Sequence, residues 1–251
     1  MATVIGSANV EYVLRATAAR AALDLVLGGT HTSGPPDLVG LQEWHPPRAP
    51  LLRASGRVTT GGVPLGGRGP YRWLAPLVGG CTVGFRTARY DLVSARLHLL
   101  SRPGRADRGG RPAGLEVPRA AQEVLLHDRH GPDDGRLLCL VDYHLVSGVQ
   151  AHDVYRADRP ALVERHRHEV AALARVVRRR LEAGHDVVAL GDSNFHGFEL
   201  PGLVSAWAAR PDGPGTLGPR RRIDDVFTTG GVRSVELIDT PSDHRAVVVT
   251  T

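Results

Sequence analysis

A chain of 251 residues with 42% hydrophobic content has enough apolar side chain for a substantial core and falls within the range of one α/β domain, residues 1–251. Its longest apolar runs, such as Val187 to Leu190, are too short to span a membrane, and Thr3 to Asn9 reads as a strand rather than an export signal, so a cytoplasmic monomer is the expectation. The formal charge of +5 favours a polyanionic partner, although every basic residue apart from histidine is arginine, as a GC-rich genome would also produce. Cys81 and Cys139 stand far apart in apolar stretches, which favours buried thiols over a disulfide.

In chain order, Val4 and Ile5 open a strand, Glu11 to Leu27 has apolar positions at helical spacing, and Asp37 to Trp44 supplies a second strand. Pro46 to Gly80 is dense in Gly, Pro and Arg and reads as long loops interrupted by brief strands. Thr82 to Phe85, Asp91 to Leu99, Ala121 to His127 and Leu137 to Leu145 read as successive antiparallel strands, with an Arg/Gly loop from Pro103 to Pro118. A long helix from about Arg159 to Glu182 carries Val170, Leu173, Val177 and Leu181 on one face and stops at Gly184. The fully apolar strand Val187 to Leu190 follows, then strands at Asp224 to Thr228, Val235 to Ile238 and Ala246 to Thr250.

Chemistry-bearing residues gather at the ends of these strands. Asp192 and Asn194, two residues apart beyond Leu190, suit proton abstraction from water and hydrogen bonding to that water or a phosphoryl oxygen; a plain turn is the alternative. His244, in Ser242-Asp243-His244, is a candidate for stabilising charge on a phosphoryl oxygen, and Asp224 for orienting its ring. Glu43 ends the second strand, where one carboxylate can hold a hard cation, and Asn9 closes the first, as an oxygen ligand or as a helix cap. His144 interrupts an apolar strand, either to grip a phosphate or as a packed, hydrogen-bonded histidine. Arg119 reads equally as a phosphate contact and as a solvated charge.

Taken in order, Ser7-x-Asn9, Leu41-Gln42-Glu43, His144-Leu145, Gly191-Asp192-x-Asn194, Arg222-Ile223-Asp224 and Ser242-Asp243-His244 resemble the endonuclease/exonuclease/phosphatase superfamily. The resemblance implies a four-layer α/β/β/α sandwich of two mixed, largely antiparallel sheets packed face to face. It also implies Glu43 as principal metal ligand with Asn9 and Asp243 nearby, Asp192 as activator of water, Asn194 as its support, His244 held by Asp224 as stabiliser, and His144 on the phosphate. Magnesium is the implied ion, with manganese or calcium as alternatives. Abasic-site endonucleases of the family carry tyrosine where His144 stands, so the deoxyribonuclease-like and general phosphodiesterase branches fit better.

The leading expectation is therefore a metal-dependent nuclease acting on DNA or RNA, with arginines neutralising backbone phosphates. A phosphatase or phosphodiesterase acting on a phospholipid head group, inositol phosphate or other small phosphoester shares the fold and catalytic set. Lipid hydrolysis calls for exposed apolar loop tips, whereas these loops are mostly Gly, Pro and Arg. A non-catalytic binding module ranks below both, because none of the key positions is replaced.

Overall fold

The computed structural model describes residues 2–28, 34–107, 114–131 and 136–251. In chain order the elements are β1 (Val4–Asn9), α1 (Ala16–Leu27), β2 (Leu38–Gln42), a 3-10 segment (Pro46–Ala54), β3 (Gly56–Thr60), β4 (Val63–Gly66), β5 (Tyr71–Ala75), β6 (Thr82–Arg86) and β7 (Tyr90–Ser101). There follow β8 (Gly104–Ala106), β9 (Gly114–Glu116), β10 (Arg119–Asp128), β11 (Leu138–His144), β12 (Gln150–Ala151), β13 (Val154–Tyr155) and α2 (Pro160–Glu182). The chain ends through β14 (Asp186–Asp192), β15 (Val204–Ser205), a short 3-10 turn (Ala206–Ala209), β16 (Asp224–Thr228), β17 (Ser234–Ile238) and β18 (Ala246–Thr250).

The strands form an eight-stranded sheet, ordered β17-β18-β1-β2-β6-β5-β3-β4, and a six-stranded sheet, ordered β15-β16-β14-β11-β10-β7. Both are mixed. The pairs β1/β2, β3/β5 and β11/β14 are parallel and the other pairs within the two sheets antiparallel.

Alternation along the strands assigns each side chain to a layer. Ile5, Leu38, Val83 and Val247 of the first sheet meet Val124, Leu140, Val188 and Leu190 of the second, forming the core between the sheets. On the outer face of the first sheet, Val39, Leu41 and Val248 pack against Ala19, Ala22, Leu23 and Val26 of α1. On the outer face of the second, Val141, Val187 and Ala189 pack against Leu173, Val176 and Val177 of α2. The layers are α/β/β/α. Cys81 and Cys139 are buried and unpaired, and among the described residues no helix is long and apolar enough to cross a membrane.

Some boundaries differ from the sequence expectation. The first helix begins at Ala16 rather than Glu11, because Arg15 is extended and residues before it give their carbonyls to Arg48. Asn9 is therefore no helix cap. Pro46–Ala54 coils into a 3-10 segment, with Pro in its first turn where a missing N–H costs nothing. The Arg/Gly segment from Pro103 to Pro118 contains the short pair β8/β9, and its residues 108–113 lie outside the described residues.

Candidate functional site

Two parallel strand pairs bring their carboxyl ends to one rim. In the first sheet, Asn9 at the end of β1 pairs with Gln42, so Glu43 follows directly beside it. In the second, His144 at the end of β11 pairs with Asp192 at the end of β14, and Asp192 also pairs with Asp224 at the start of antiparallel β16. His244 precedes β18, next to β1 in the first sheet. Gly191 makes the approach possible: its φ is 148°, and a Cβ there would sit 1.9 Å from the Tyr143 carbonyl oxygen.

The side chains converge. Asn9 Nδ2 donates to Asp192 Oδ2 at 2.9 Å and reaches Glu43 Oε1 at 3.5 Å, so one amide bridges carboxylates from opposite sheets. Glu43 Oε2 accepts the Tyr12 backbone N–H at 2.8 Å. Asp192 Oδ1 accepts the Asn194 backbone N–H at 2.7 Å, while Asn194 Nδ2 donates to the Leu145 carbonyl at 3.0 Å; this side chain locks the turn that presents Asp192. Both Glu43 and Asn194 adopt left-handed backbone, with φ of 57° and 54°, the kind of strain that persists where surrounding structure enforces it. Asp192 Oδ2 lies 3.6 Å from His144 Nε2 and 4.0 Å from His244 Nε2. Asp243, largely exposed, sits at the rim with Oδ1 3.8 Å from His244 Nε2.

The two histidines are driven to opposite charge states. Burial lowers the His244 pKa, but Asp224, whose Oδ2 accepts from Nδ1 at 2.8 Å, outweighs it with help from Asp192 and Asp243, and the ring is raised to about 10. His144 is pushed well below its ordinary value by burial, then by Arg119, His244 and His45. Its Nδ1 lies 3.0 Å from Arg119 Nη1. Since guanidinium has no acceptor, Nδ1 accepts and the single proton of the neutral ring sits on Nε2, facing Asp192 and Glu43. Arg119 is thus drawn into the site, through the histidine. Asp192 is raised to about 7 by burial and by the neighbouring Asp224, against the lowering effect of His244 and its hydrogen bonds.

Two donor sets can hold a cation. Asp192, Asp224 and His244 each offer a ligand atom within 4.8 Å of the others. The second set is Glu43 with Asn9, whose Oδ1 is buried without a hydrogen-bond partner. An orphaned oxygen beside a carboxylate is the donor chemistry a hard divalent ion takes. His244 in the first set already shares a proton with Asp224, so the oxygen set fits the ion better.

Several supporting residues were not singled out from the sequence. His166 of α2 donates through Nε2 to the Ser193 carbonyl at 2.8 Å, and Glu169 accepts the Val146 backbone N–H at 2.8 Å, so the helix fixes the turn after Asp192 and the segment after His144. Both are buried and share the helical period of Leu162 and Leu173, a signal that polar groups stand at core positions. Asp142, its carboxyl pushed well above its ordinary value by burial despite hydrogen bonds from Gln42 and from the Leu41 and Tyr143 backbone, ties the sheets together beneath the site. Beside Glu43 and His144 opens a cleft of about 770 Å³, whose lip carries Tyr12, Leu77, Val78 and Val117. These four are exposed apolar side chains, so the loop tips are less polar than their Gly/Pro/Arg context suggests.

No family model and no curated protein matches the sequence. Solved structures do match. A D. rerio TDP2 humanized by 14 mutations superposes with a TM-score of 0.67 at 16% identity, over 99% of this chain and 98% of that one. D. rerio TDP2 complexed with a single strand DNA product gives 0.61 at 17% identity, over 99% and 98%. An endonuclease/exonuclease/phosphatase family protein from Bacteroides thetaiotaomicron gives 0.60 at 15% identity, over 100% and 97%. The fold of this chain is the endonuclease/exonuclease/phosphatase fold.

Proposed function

We propose that this chain is a divalent-metal-dependent phosphoesterase, one catalytic domain, that hydrolyses phosphodiester bonds of nucleic acid by in-line attack of water. The observation that carries the reading is the position of Asp192, held by Asn9 and lying between a neutral imidazole at 3.6 Å and a charged one at 4.0 Å. That arrangement matches an acid, a base and a neutral donor around one reacting centre.

Asp192, poised near neutrality, takes the proton of the attacking water at a carboxylate oxygen, and Asn194 holds that carboxylate through its backbone N–H. His244, protonated and fixed by Asp224, stabilises negative charge on a phosphoryl oxygen from Nε2. His144 donates its Nε2 proton to another phosphoryl oxygen, with Arg119 setting its tautomer. Glu43 and Asn9 would hold the ion, with Asp243 at the rim; magnesium suits a site of so few protein oxygens, and manganese or calcium are the alternatives. A bound divalent cation supplies charge neutralisation on the phosphate and support for the leaving oxygen.

The single strand DNA product in the TDP2 structure supports a nucleic acid substrate, as does the surplus of arginine. A second reading, a phosphodiesterase acting on a small or lipid-borne phosphoester, draws support from the apolar lip at Tyr12, Leu77, Val78 and Val117. The discriminating experiment offers plasmid, single-stranded DNA, RNA, a phospholipid and inositol phosphates, with magnesium or chelator, to the protein and to Asp192→Asn. Magnesium-dependent cleavage of nucleic acid that the variant loses is the expected result; hydrolysis of small phosphoesters alone would overturn the nuclease reading.

A further inference from the structure

The turn after Asp192 is gripped by two elements, α2 and the β12/β13 hairpin. The hairpin closes through His152 and Asp153, both left-handed (φ 50° and 61°) as a tight two-residue hairpin turn requires. Its Gln150 makes a reciprocal pair with the far end of the turn: Oε1 accepts the His196 N–H at 2.7 Å and Nε2 donates to the His196 carbonyl at 3.0 Å. Its Tyr155 packs against Phe195, ring centroids 4.5 Å apart, and places its hydroxyl 3.0 Å from Nδ1 of His166 on α2.

His166 is fully buried, and its neighbours define its tautomer. A carbonyl only accepts, so the 2.8 Å contact between Nε2 and the Ser193 oxygen puts a proton on Nε2. Burial holds the ring below its ordinary pKa, against that bond and Glu169, so the ring is neutral and its Nδ1 lone pair accepts from the Tyr155 hydroxyl. Three donors then run in one direction. Tyr155 donates to His166, His166 to the Ser193 carbonyl, and the N–H of that same peptide unit, belonging to Asn194, to Asp192 Oδ1 at 2.7 Å. The C=O and N–H of a trans peptide point opposite ways, so a grip on the Ser193 oxygen aims the Asn194 N–H. Turning that peptide over would break both bonds, which helps to hold Asn194 in its left-handed conformation at φ 54°.

We propose that His166, with its tautomer set by Tyr155, is a positioning residue that holds the Ser193–Asn194 peptide and through it the Asp192 carboxylate, a role in turnover that rests on the phosphoesterase reading above. Packing alone does not ask for an imidazole here, because leucine would fill the same helical position among Leu162, Val163 and Leu173. Leucine would, however, leave the buried Ser193 carbonyl without this donor. Glutamine restores an N–H at similar reach, which makes the bond and the packing separable.

Two readouts on the full chain test this in parallel: kcat and KM for bis(p-nitrophenyl) phosphate with magnesium, and hydrogen exchange of the Asn194 amide by NMR. His166→Leu is expected to lower kcat by roughly 10²-fold, the cost of a misplaced catalytic group, while KM stays near the wild-type value. Exchange at Asn194 should quicken by roughly tenfold, as loss of one supporting hydrogen bond allows. His166→Gln is expected to recover most of the lost kcat and protection. Tyr155→Phe keeps the packing on Phe195 but frees the tautomer, so a smaller loss of both is expected; it also guards against a failure of His166→Leu to fold, which melting temperatures reveal. If the wild type is active and neither kcat nor Asn194 exchange responds in any variant, the positioning role is overturned and the phosphoesterase reading stands. Equal kcat losses in His166→Gln and His166→Leu at wild-type melting temperatures, or faster exchange with turnover untouched, would overturn it as well. If the wild type hydrolyses no phosphoester while Asn194 exchange responds as expected, the phosphoesterase reading fails, the role in turnover fails with it, and only the grip on the peptide remains.

Discussion

His244 Nδ1 lies 2.8 Å from Asp224 Oδ2, and this one hydrogen bond, reinforced by Asp192 and Asp243, keeps a ring that burial would discharge protonated up to about pH 10. Replacing Asp224 with Asn removes the leading cause of the raised value. The falling limb of the pH–rate profile is then expected to move from near 10 toward neutrality, with activity at pH 8 reduced roughly 10²-fold or more. A raised histidine pKa also stabilises the fold below its unfolded value of 6.5, and that contribution is lost as pH rises through about 10. The variant should therefore melt with less dependence on pH across that window. A profile whose falling limb stays in place would show that His244 does not need its charge.

Asp192 has the opposite relation to stability. Its carboxyl is raised to about 7 by burial and by Asp224, so the folded state binds this proton more tightly than the unfolded chain, and the group destabilises the fold as pH climbs from about 4 through 7. Activity requires the deprotonated form and is expected to rise through the same neutral range. Asp192→Asn, which keeps the shape without the buried charge, should abolish turnover yet melt no lower than the wild type at pH 8. A variant that is inactive because it melts far below the wild type would remove Asp192 from the catalytic groups.

Away from the site, Glu123 of β10 is held by Arg180 of α2, which donates to both carboxylate oxygens, and by His98 Nε2 at 3.2 Å. Burial alone would raise its pKa, but these partners bring it down to about 2, against an ordinary 4.5. The depressed carboxylate contributes stability that is fully present above 4.5 and is lost as pH falls toward 2, roughly 1–2 kcal/mol after allowing for screening. Arg180→Met strands a buried charge between helix and sheet and should cost about 3 kcal/mol at pH 7, or roughly 6–12 °C in Tm. Below pH 3 the gap between variant and wild type should narrow; an equal gap at every pH would mean that packing, not charge, explains the loss.

The same division between local and distant causes separates what was legible in the sequence from what was not. Strands such as Asp186–Asp192 and the helix Pro160–Glu182 follow from hydrophobic periodicity within a short window. The order of Asn9, Glu43, His144, Asp192, Asp224 and His244 along strand ends was legible as well, because parallel pairing places those ends at one rim. The start of α1 was not. Its N-cap is Arg15, with no side-chain capping bond, and the chain before it is shaped by an arginine more than thirty residues away. Nor was Arg119's approach to His144, which joins β10 to β11 by register rather than by sequence proximity.

That distant arginine, Arg48, gives the last prediction. Its guanidinium donates to the carbonyls of Val10 and Tyr12 at 2.5 Å each, Leu14 at 2.8 Å, Glu11 at 2.9 Å and Glu43 at 3.4 Å, so residues 10–14 wrap around a single side chain. The Tyr12 N–H carried by that loop donates to Glu43 Oε2, while Glu43 itself holds a left-handed backbone. Arg48 therefore sets the carboxylate assigned to the cation without touching it. Arg48→Met keeps the stem and removes every one of those donors, and the expected consequence is a roughly 10-fold or greater weakening of divalent-ion affinity, the size of effect that supporting shells around metal ligands show. Calorimetric titration with manganese reads the affinity directly, apart from turnover, and excess ion should restore most of the activity at saturation. Loss of activity with manganese affinity intact would place Arg48 in substrate binding instead, and equal loss of affinity in Arg48→Lys would show that the fork geometry, more than the charge, holds the loop.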